Sequence, residues 1–144
     1  MGCIDPPPEE YDPEEIVRRG IPELFAAGAA LFNDARYEEA HEEFEKVWLS
    51  NEGGDADFFK GLIQAAICLH HFQRGNLDGA RKLGGGHRRY LAAFLPSHRG
   101  LDVEGFMDAM QSFLAPLARA HPGDPIPFDT DRRPRIEFDG PTGT

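Results

Sequence analysis

Arg36-Tyr37-Glu38-Glu39-Ala40-His41-Glu42-Glu43-Phe44-Glu45-Lys46-Val47-Trp48-Leu49 is the stretch whose reading decides the fold. At about 100° per residue, Tyr37, Phe44 and Trp48 fall on one face, with Ala40 and Val47 along one edge. That spacing belongs to an amphipathic helix, which must bury its stripe against other elements. His41 falls inside the stripe. Glu38 and Glu45 flank its other edge, Glu42 lies just beyond them, and Glu39, Glu43 and Lys46 point to solvent. One histidine is therefore expected to be buried with carboxylates three or four residues away on either side. Such neighbours can share a proton or a metal ion.

Outward from this helix, the rest of the chain reads the same way. Pro22 suits a first helical turn, and helical spacing runs on to Asn33–Asp34. The helix quoted above starts near Arg36 and reaches Leu49–Ser50, where Asn51, Gly53 and Gly54 make a loop. Asp55 or Asp57 can cap a long third helix that runs through Arg74 and ends at Gly75. Asn76 caps the next, which carries Ala80, Leu83, Tyr90, Leu91 and Phe94. Pro96 to Gly100 is a turn. Asp102 starts a last helix through Ala120, with Pro116 as a kink site. No segment alternates for long enough to be a strand. The expected fold is all-α: a compact bundle of about five helices built from helical hairpins. A single domain spans residues 13–120, between an extended arm (1–12, with Pro6-Pro7-Pro8) and an extended Pro/Gly-rich tail (121–144). A weak repeat at an offset of 40 aligns Phe32, Tyr37 and Ala40 with Phe72, Leu77 and Ala80. Two copies are too few for a solenoid, so it reads as shared hairpin chemistry.

Composition narrows the function classes. The chain has 144 residues and a net charge of −10, with a pI near 4.9. Its only lysines are Lys46, Lys60 and Lys82. An acidic chain repels nucleic acid phosphates, so nucleic acid is disfavoured as a partner. An acidic surface poor in lysine also suits molar salt, where the Debye length falls to roughly 3 Å. A haloarchaeal source is the expectation. Cys3 and Cys68 form neither a disulfide framework nor a metal spacing. With no export segment at the N-terminus, a cytoplasmic setting is expected. The most apolar stretch, Phe58 to Phe72, is too short and too interrupted to span a bilayer. The partner is left as a protein or a small molecule, and the chain as a monomer or small homo-oligomer.

The third helix is apolar nearly all round and therefore central. Its polar exceptions are Lys60, Gln64, His70 and His71. Gln64 and His71 share one line, while His70 points elsewhere. A buried, unsatisfied polar group costs roughly 1–3 kcal/mol, and the simplest partner for Gln64 and His71 is the His41/Glu45 pair. His41, Glu42, Glu45, Gln64 and His71 are thus the candidate catalytic residues, and His41, Glu45 and His71 the candidate metal ligands. The zincin pattern His-Glu-x-x-His fails, because Glu45 stands at its fifth position. A divalent transition metal is allowed but not favoured. The preferred reading is a satisfied network that locks helix register, with Trp48 as core rather than a ligand stacker.

Gly84-Gly85-Gly86 lies inside the fourth helical segment, which should break there or pack very closely. No phosphate-loop pattern surrounds it. Arg81, Lys82, His87, Arg88 and Arg89 make a basic cluster, with Arg81, Arg88 and Arg89 as candidate anion-binding residues. Their plainer role is to pair with neighbouring acids.

Three linked motifs carry a family resemblance. They are Leu31-Phe-Asn-x-x-x-Tyr37-x-Glu39-Ala-His-Glu42-x-x-Glu45-x-x-Trp48, Phe59-Lys-Gly61-Leu-Ile-Gln64-x-Ala66, and His71-x-x-x-Gly75-Asn76-x-x-Gly79-Ala80. In this order, over residues 24 to 95, the chain resembles the bacterial and archaeal family called domain of unknown function 309, and Pro134-Arg135-Ile136 is also similar. The resemblance implies a compact all-helical domain and no established activity, substrate or cofactor. It implies family-typical polar residues at Glu39, His41, Glu42, Glu45, Gln64 and His71, although Glu39 lies on the solvent side of the helical wheel. The glycine run does not fit the family pattern. Three functions stay open: an interaction module with a buried His/Glu/Gln network, a metal-dependent or acid–base enzyme using His41, Glu42, Glu45 and His71, and an anion-binding regulator.

Overall fold

A computed structural model of the chain describes residues 13–50, 55–121 and 123–137. In chain order the helices are α1 (Pro13–Asn33), α2 (Tyr37–Ser50), α3 (Ala56–Gln73), α4 (Leu77–Gly84), α5 (Gly86–Leu91) and α6 (Val103–Arg119). A two-stranded antiparallel hairpin, β1 (Ser97–His98) and β2 (Leu101–Asp102), pairs Ser97 with Asp102 and His98 with Leu101. The fold is the expected all-α arrangement.

The central helix is α3, as its apolar circumference requires. It packs on α2 along one side and on α4 and α5 along the other, while α1 packs on α2. Phe58, Phe59, Leu62, Ile63 and Leu69 are fully buried. Each contributes roughly 1.5–3 kcal/mol by leaving water. Phe25 of α1 meets Phe58 and Phe59 edge-on, both at 5.7 Å between ring centroids. Two glycines set the closest approaches. A Cβ at Gly28 would overlap the Phe44 ring, and one at Gly61 would lie 2.7 Å from Leu91 Cδ2.

The repeat at offset 40 is structural. In both hairpins the first helix ends in a left-handed residue, Ala35 (φ 61°) and Gly75 (φ 84°). Arg36 N–H donates to Leu31 O at 2.9 Å, and Asn76 N–H to His71 O at 2.8 Å. Ala35 and Gly75 donate to Phe32 O and Phe72 O at 3.0 and 3.1 Å. This is the Schellman arrangement that satisfies the last carbonyls of a helix. The copies are also tied together, Gln73 Nε2 donating to Ala35 O at 3.1 Å.

The cap predicted at Asn76 is present, and Asp102, predicted to start the last helix, caps it. Asn76 accepts from Gly79 N–H at 3.1 Å, and Asp102 from Gly105 N–H at 3.0 Å. Other expectations are corrected. α1 begins at Pro13, with a break at Gly20 (φ 81°, ψ 158°) that returns Pro22 to a first helical turn. Asp55 precedes α3 but makes no cap hydrogen bond. Its carboxylate instead holds the hairpin, accepting from His98 Nε2 at 2.8 Å and Arg99 Nε at 2.5 Å. Burial alone would raise this carboxyl, but those hydrogen bonds and charges hold it below its ordinary value. The fourth segment divides at Gly85 into α4 and α5. Pro116 leaves α6 continuous. The turn predicted at Pro96–Gly100 is a hairpin whose two central residues, Arg99 and Gly100, have φ of 50° and 80°. The expected arm, residues 1–12, lies outside the described residues.

The segment after α6 is extended and returns across the bundle. Phe128 packs edge-on against Phe72 and Phe113 at 5.3 and 5.2 Å. The Asn33 carboxamide brackets Ile136, accepting from its N–H at 2.7 Å and donating to its carbonyl at 2.9 Å. Arg133 Nη2 donates to Asn33 O at 2.7 Å.

Candidate functional site

α2 places its polar residues as the helical wheel requires, with two exceptions. Glu39 is exposed and pairs with Arg36 at 2.6 Å, so the wheel position stands. Glu42 is exposed. Glu43 and Lys46 are the exceptions: both are half-buried, paired with each other at 2.9 Å, and Arg19 meets Glu43 at 2.9 Å. His41 and Glu45 come together as predicted, Nε2 to Oε2 at 3.7 Å, with side chains only 12% and 3% exposed. That distance suits a charge pair and is too long for a hydrogen bond.

His71 does not join them. Lys60 of α3 lies over the Trp48 ring of α2 at 5.5 Å. His70, nearer the other end of α3, has Glu38 and His41 among its charged neighbours. One antiparallel register explains both pairs and puts Gln64 at the level of Glu45. Gln64, 5% exposed, reaches toward α5. Its Oε1 stands 2.5 Å from where a Cβ of Gly86 would be. That contact explains why the third glycine of the run is glycine. His71 faces α4, where Asn76 Nδ2 donates to its Nδ1 at 3.0 Å. So His70, not His71, is the histidine of α3 directed at α2. Burial pushes it below its ordinary value, Glu38 pulls it up, and Arg74, His71 and His41 push it down. Among the described residues, no three His, Cys, Asp or Glu side chains are grouped as metal ligands would be. Trp48 is partly buried against the core, and Tyr90 flanks Lys60 from the other side at 4.9 Å.

The basic cluster fares differently. A cleft of about 440 Å³ opens between the α4–α5 junction and α6. Arg81 and Arg88 line it, spaced one heptad apart across the glycine break, and Arg119 of α6 faces them. Gly84 and Gly85 border it, as do Gln111, and Leu114 and Leu117 supply an apolar wall. Among the described residues, no carboxylate lines the cleft. Arg81 has a structural task as well, since its Nε donates to Leu117 O at 2.9 Å and so satisfies a carbonyl in the last turn of α6. Its ion pair with the exposed Asp78 is loose, at 3.7 Å. Arg89 is exposed and stands outside the cleft. Arg119 was not singled out by the sequence. The available signal was the helical spacing of Gln111, Ala115 and Arg119 along α6.

His87 also borders the cleft and is fully buried. Burial pushes its imidazole down to about 4, against a pull from the Gly84 carbonyl and with a further push from Arg88. Neither ring nitrogen has a hydrogen bond of ordinary geometry among the described residues.

A second, open groove of about 850 Å³ lies between the start of α4 and residues 123–127. Leu77, Ile126 and Pro127 line it, and Arg81 forms the wall it shares with the cleft.

The architecture is that of a small all-helical bundle carrying a cationic cleft. The family model described as domain of unknown function (DUF309) matches residues 25–83. The chain is similar to this family from late α1 to α4, which takes in His41, Glu45, Gln64 and His71 but stops before Arg88 and α6. The family is one of unknown function. No curated protein matches the chain. Among the described residues no helix is long and apolar enough to cross a membrane.

Proposed function

We propose that this protein binds a small anion or anionic ligand in the cleft between α4, α5 and α6. One observation carries the reading: in a chain of net charge −10, Arg81, Arg88 and Arg119 line one cleft and, among the described residues, no carboxylate does. Counter-charges are plentiful in this sequence, yet among the described residues neither Arg88 nor Arg119 has an ion pair. Arginine presents up to five donors in a planar fork suited to oxyanions. The candidate set thus becomes Arg81, Arg88 and Arg119, with Arg89 as a flanking charge.

The reading makes the protein a binding module. His41, Glu45, Gln64 and His71 then act as packing and register determinants of the helices that carry the cleft. The partner is a small molecule, and nucleic acid remains disfavoured by charge. Acidity with few lysines supports a cytoplasmic, high-salt, archaeal setting, and the buried, unbridged Cys68 fits a reducing compartment.

The test is a thermal-shift titration with phosphate and sulfate against chloride at fixed ionic strength. A saturable rise is expected, because a ligand at a hundred times its Kd stabilises by about 2.7 kcal/mol. Arg88→Ala should abolish it without lowering the unliganded Tm, since Arg88 is exposed. No rise, or the same rise in Arg88→Ala, overturns the reading.

A further inference from the structure

Gly84 and Gly85 carry information that the arginines do not. Gly86 is glycine because Gln64 fills the space of a side chain. Neither of its neighbours has such a reason. A Cβ at Gly85 would meet nothing within 4 Å, and one at Gly84 would touch only Leu114 Cδ1 at an ordinary 3.5 Å. Gly85 has φ −89° and ψ −16°, and Gly84 is not among the positive-φ glycines. An L-residue adopts such angles readily, and alanine favours a helix there. Both glycines border the arginine-lined cleft. Glycine without a packing or dihedral reason, at the edge of a cleft, leaves the backbone open to close approach by a ligand.

The other wall defines the rest of the ligand. Leu114, Ala115 and Ala118 of α6 present apolar surface to the cleft. The volume of about 440 Å³ lies within the roughly 300–1,000 Å³ typical of small-molecule sites. A bare phosphate ion, equal to a few waters of about 30 Å³ each, leaves most of that space empty. One carboxylate offers a single charge to three guanidiniums. A phosphate monoester carries close to two charges and three acceptor oxygens.

We propose that the ligand is an organic phosphate monoester, its phosphate held by Arg81, Arg88 and Arg119 against the Gly84–Gly85 backbone and its apolar group on the α6 wall. This rests on the anion-binding reading above and adds the ligand class and the role of the glycines.

The experiment is calorimetric titration at fixed ionic strength with three probes: phenyl phosphate, inorganic phosphate and phenol. It is run on the natural chain, Gly85→Ala and Arg88→Ala. Phenyl phosphate should bind at least about tenfold more tightly than inorganic phosphate, because the ring adds apolar burial, and phenol should show no binding. Gly85→Ala should hold or raise the Tm, yet weaken phenyl phosphate at least about fivefold, since its methyl occupies the approach to the backbone. Equal affinity for the two phosphates, lost together in Arg88→Ala, overturns the monoester proposal and leaves anion binding standing. Unchanged affinity in Gly85→Ala overturns the seat against the glycines. Binding of neither phosphate, or equal binding of phenol and phenyl phosphate, overturns the anion-binding reading and this proposal with it.

Discussion

Ala35 and Gly75 occupy the same place in two copies of one hairpin, and both are left-handed. Only the second is a residue without a steric penalty there. Ala35→Gly should therefore stabilise the protein by up to about 1 kcal/mol, and Gly75→Ala should destabilise it by a similar amount. Urea midpoints of the two variants check the pair. His87 gives a pH dependence. Its folded value of about 4 lies below the ordinary 6.5 of an unfolded histidine, so between these values the unfolded chain holds more protons. The stability that neutral His87 allows is complete above about pH 6.5 and is lost as pH falls toward 4. It amounts to on the order of 3 kcal/mol at about 1.4 kcal/mol per pH unit. His87→Leu should flatten that window. It should also match or exceed the natural chain at pH 5, since it removes a buried ring whose two nitrogens have no hydrogen bond of ordinary geometry among the described residues. An equal slope in the variant, read by denaturant midpoints from pH 7 to 4, overturns the assignment.

At the scale of elements, α2 was legible because fourteen residues give the helical period several turns in which to show. Asn76 and Asp102 were legible because a cap acts within three residues of itself. Asp55 was misread for the complementary reason: its partners, His98 and Arg99, are more than forty positions away, and no local rule weighs them against a cap. His41 and Glu45 share a helix, so their pairing could be read from spacing. Gln64 and His71 are seven positions apart in α3, so helical spacing aligns them, but which helix that line faces depends on packing. Arg119 joins Arg81 and Arg88 only because α6 folds back across α4. Helix approach makes its own prediction. Gly28→Ala should cost about 1–3 kcal/mol, because its methyl overlaps the Phe44 ring between α1 and α2 in a well-packed core. Calorimetry showing a Tm within a degree of the natural chain would contradict that packing.

Taken whole, the molecule must close against its own charge. A net −10 opposes compaction, and screening relieves that opposition. The Tm should rise between dilute buffer and 1 M KCl. A salt-independent Tm would remove the support for a high-salt setting. The closing contact is the return of residues 133–136 onto Asn33. Asn33→Ala removes two hydrogen bonds to the Ile136 backbone. It should cost about 1–3 kcal/mol and make the chain more susceptible to limited proteolysis after residue 120. That return joins residues 103 positions apart in the chain. During synthesis at about 5–20 residues per second, roughly 5 to 20 s separate the emergence of Asn33 from that of Ile136. The hairpins rest on local contacts and form within that interval, while the Asn33 carboxamide faces water. Its docking therefore comes late in synthesis, and a polypeptide that stops before residue 133 leaves the ribosome without its latch.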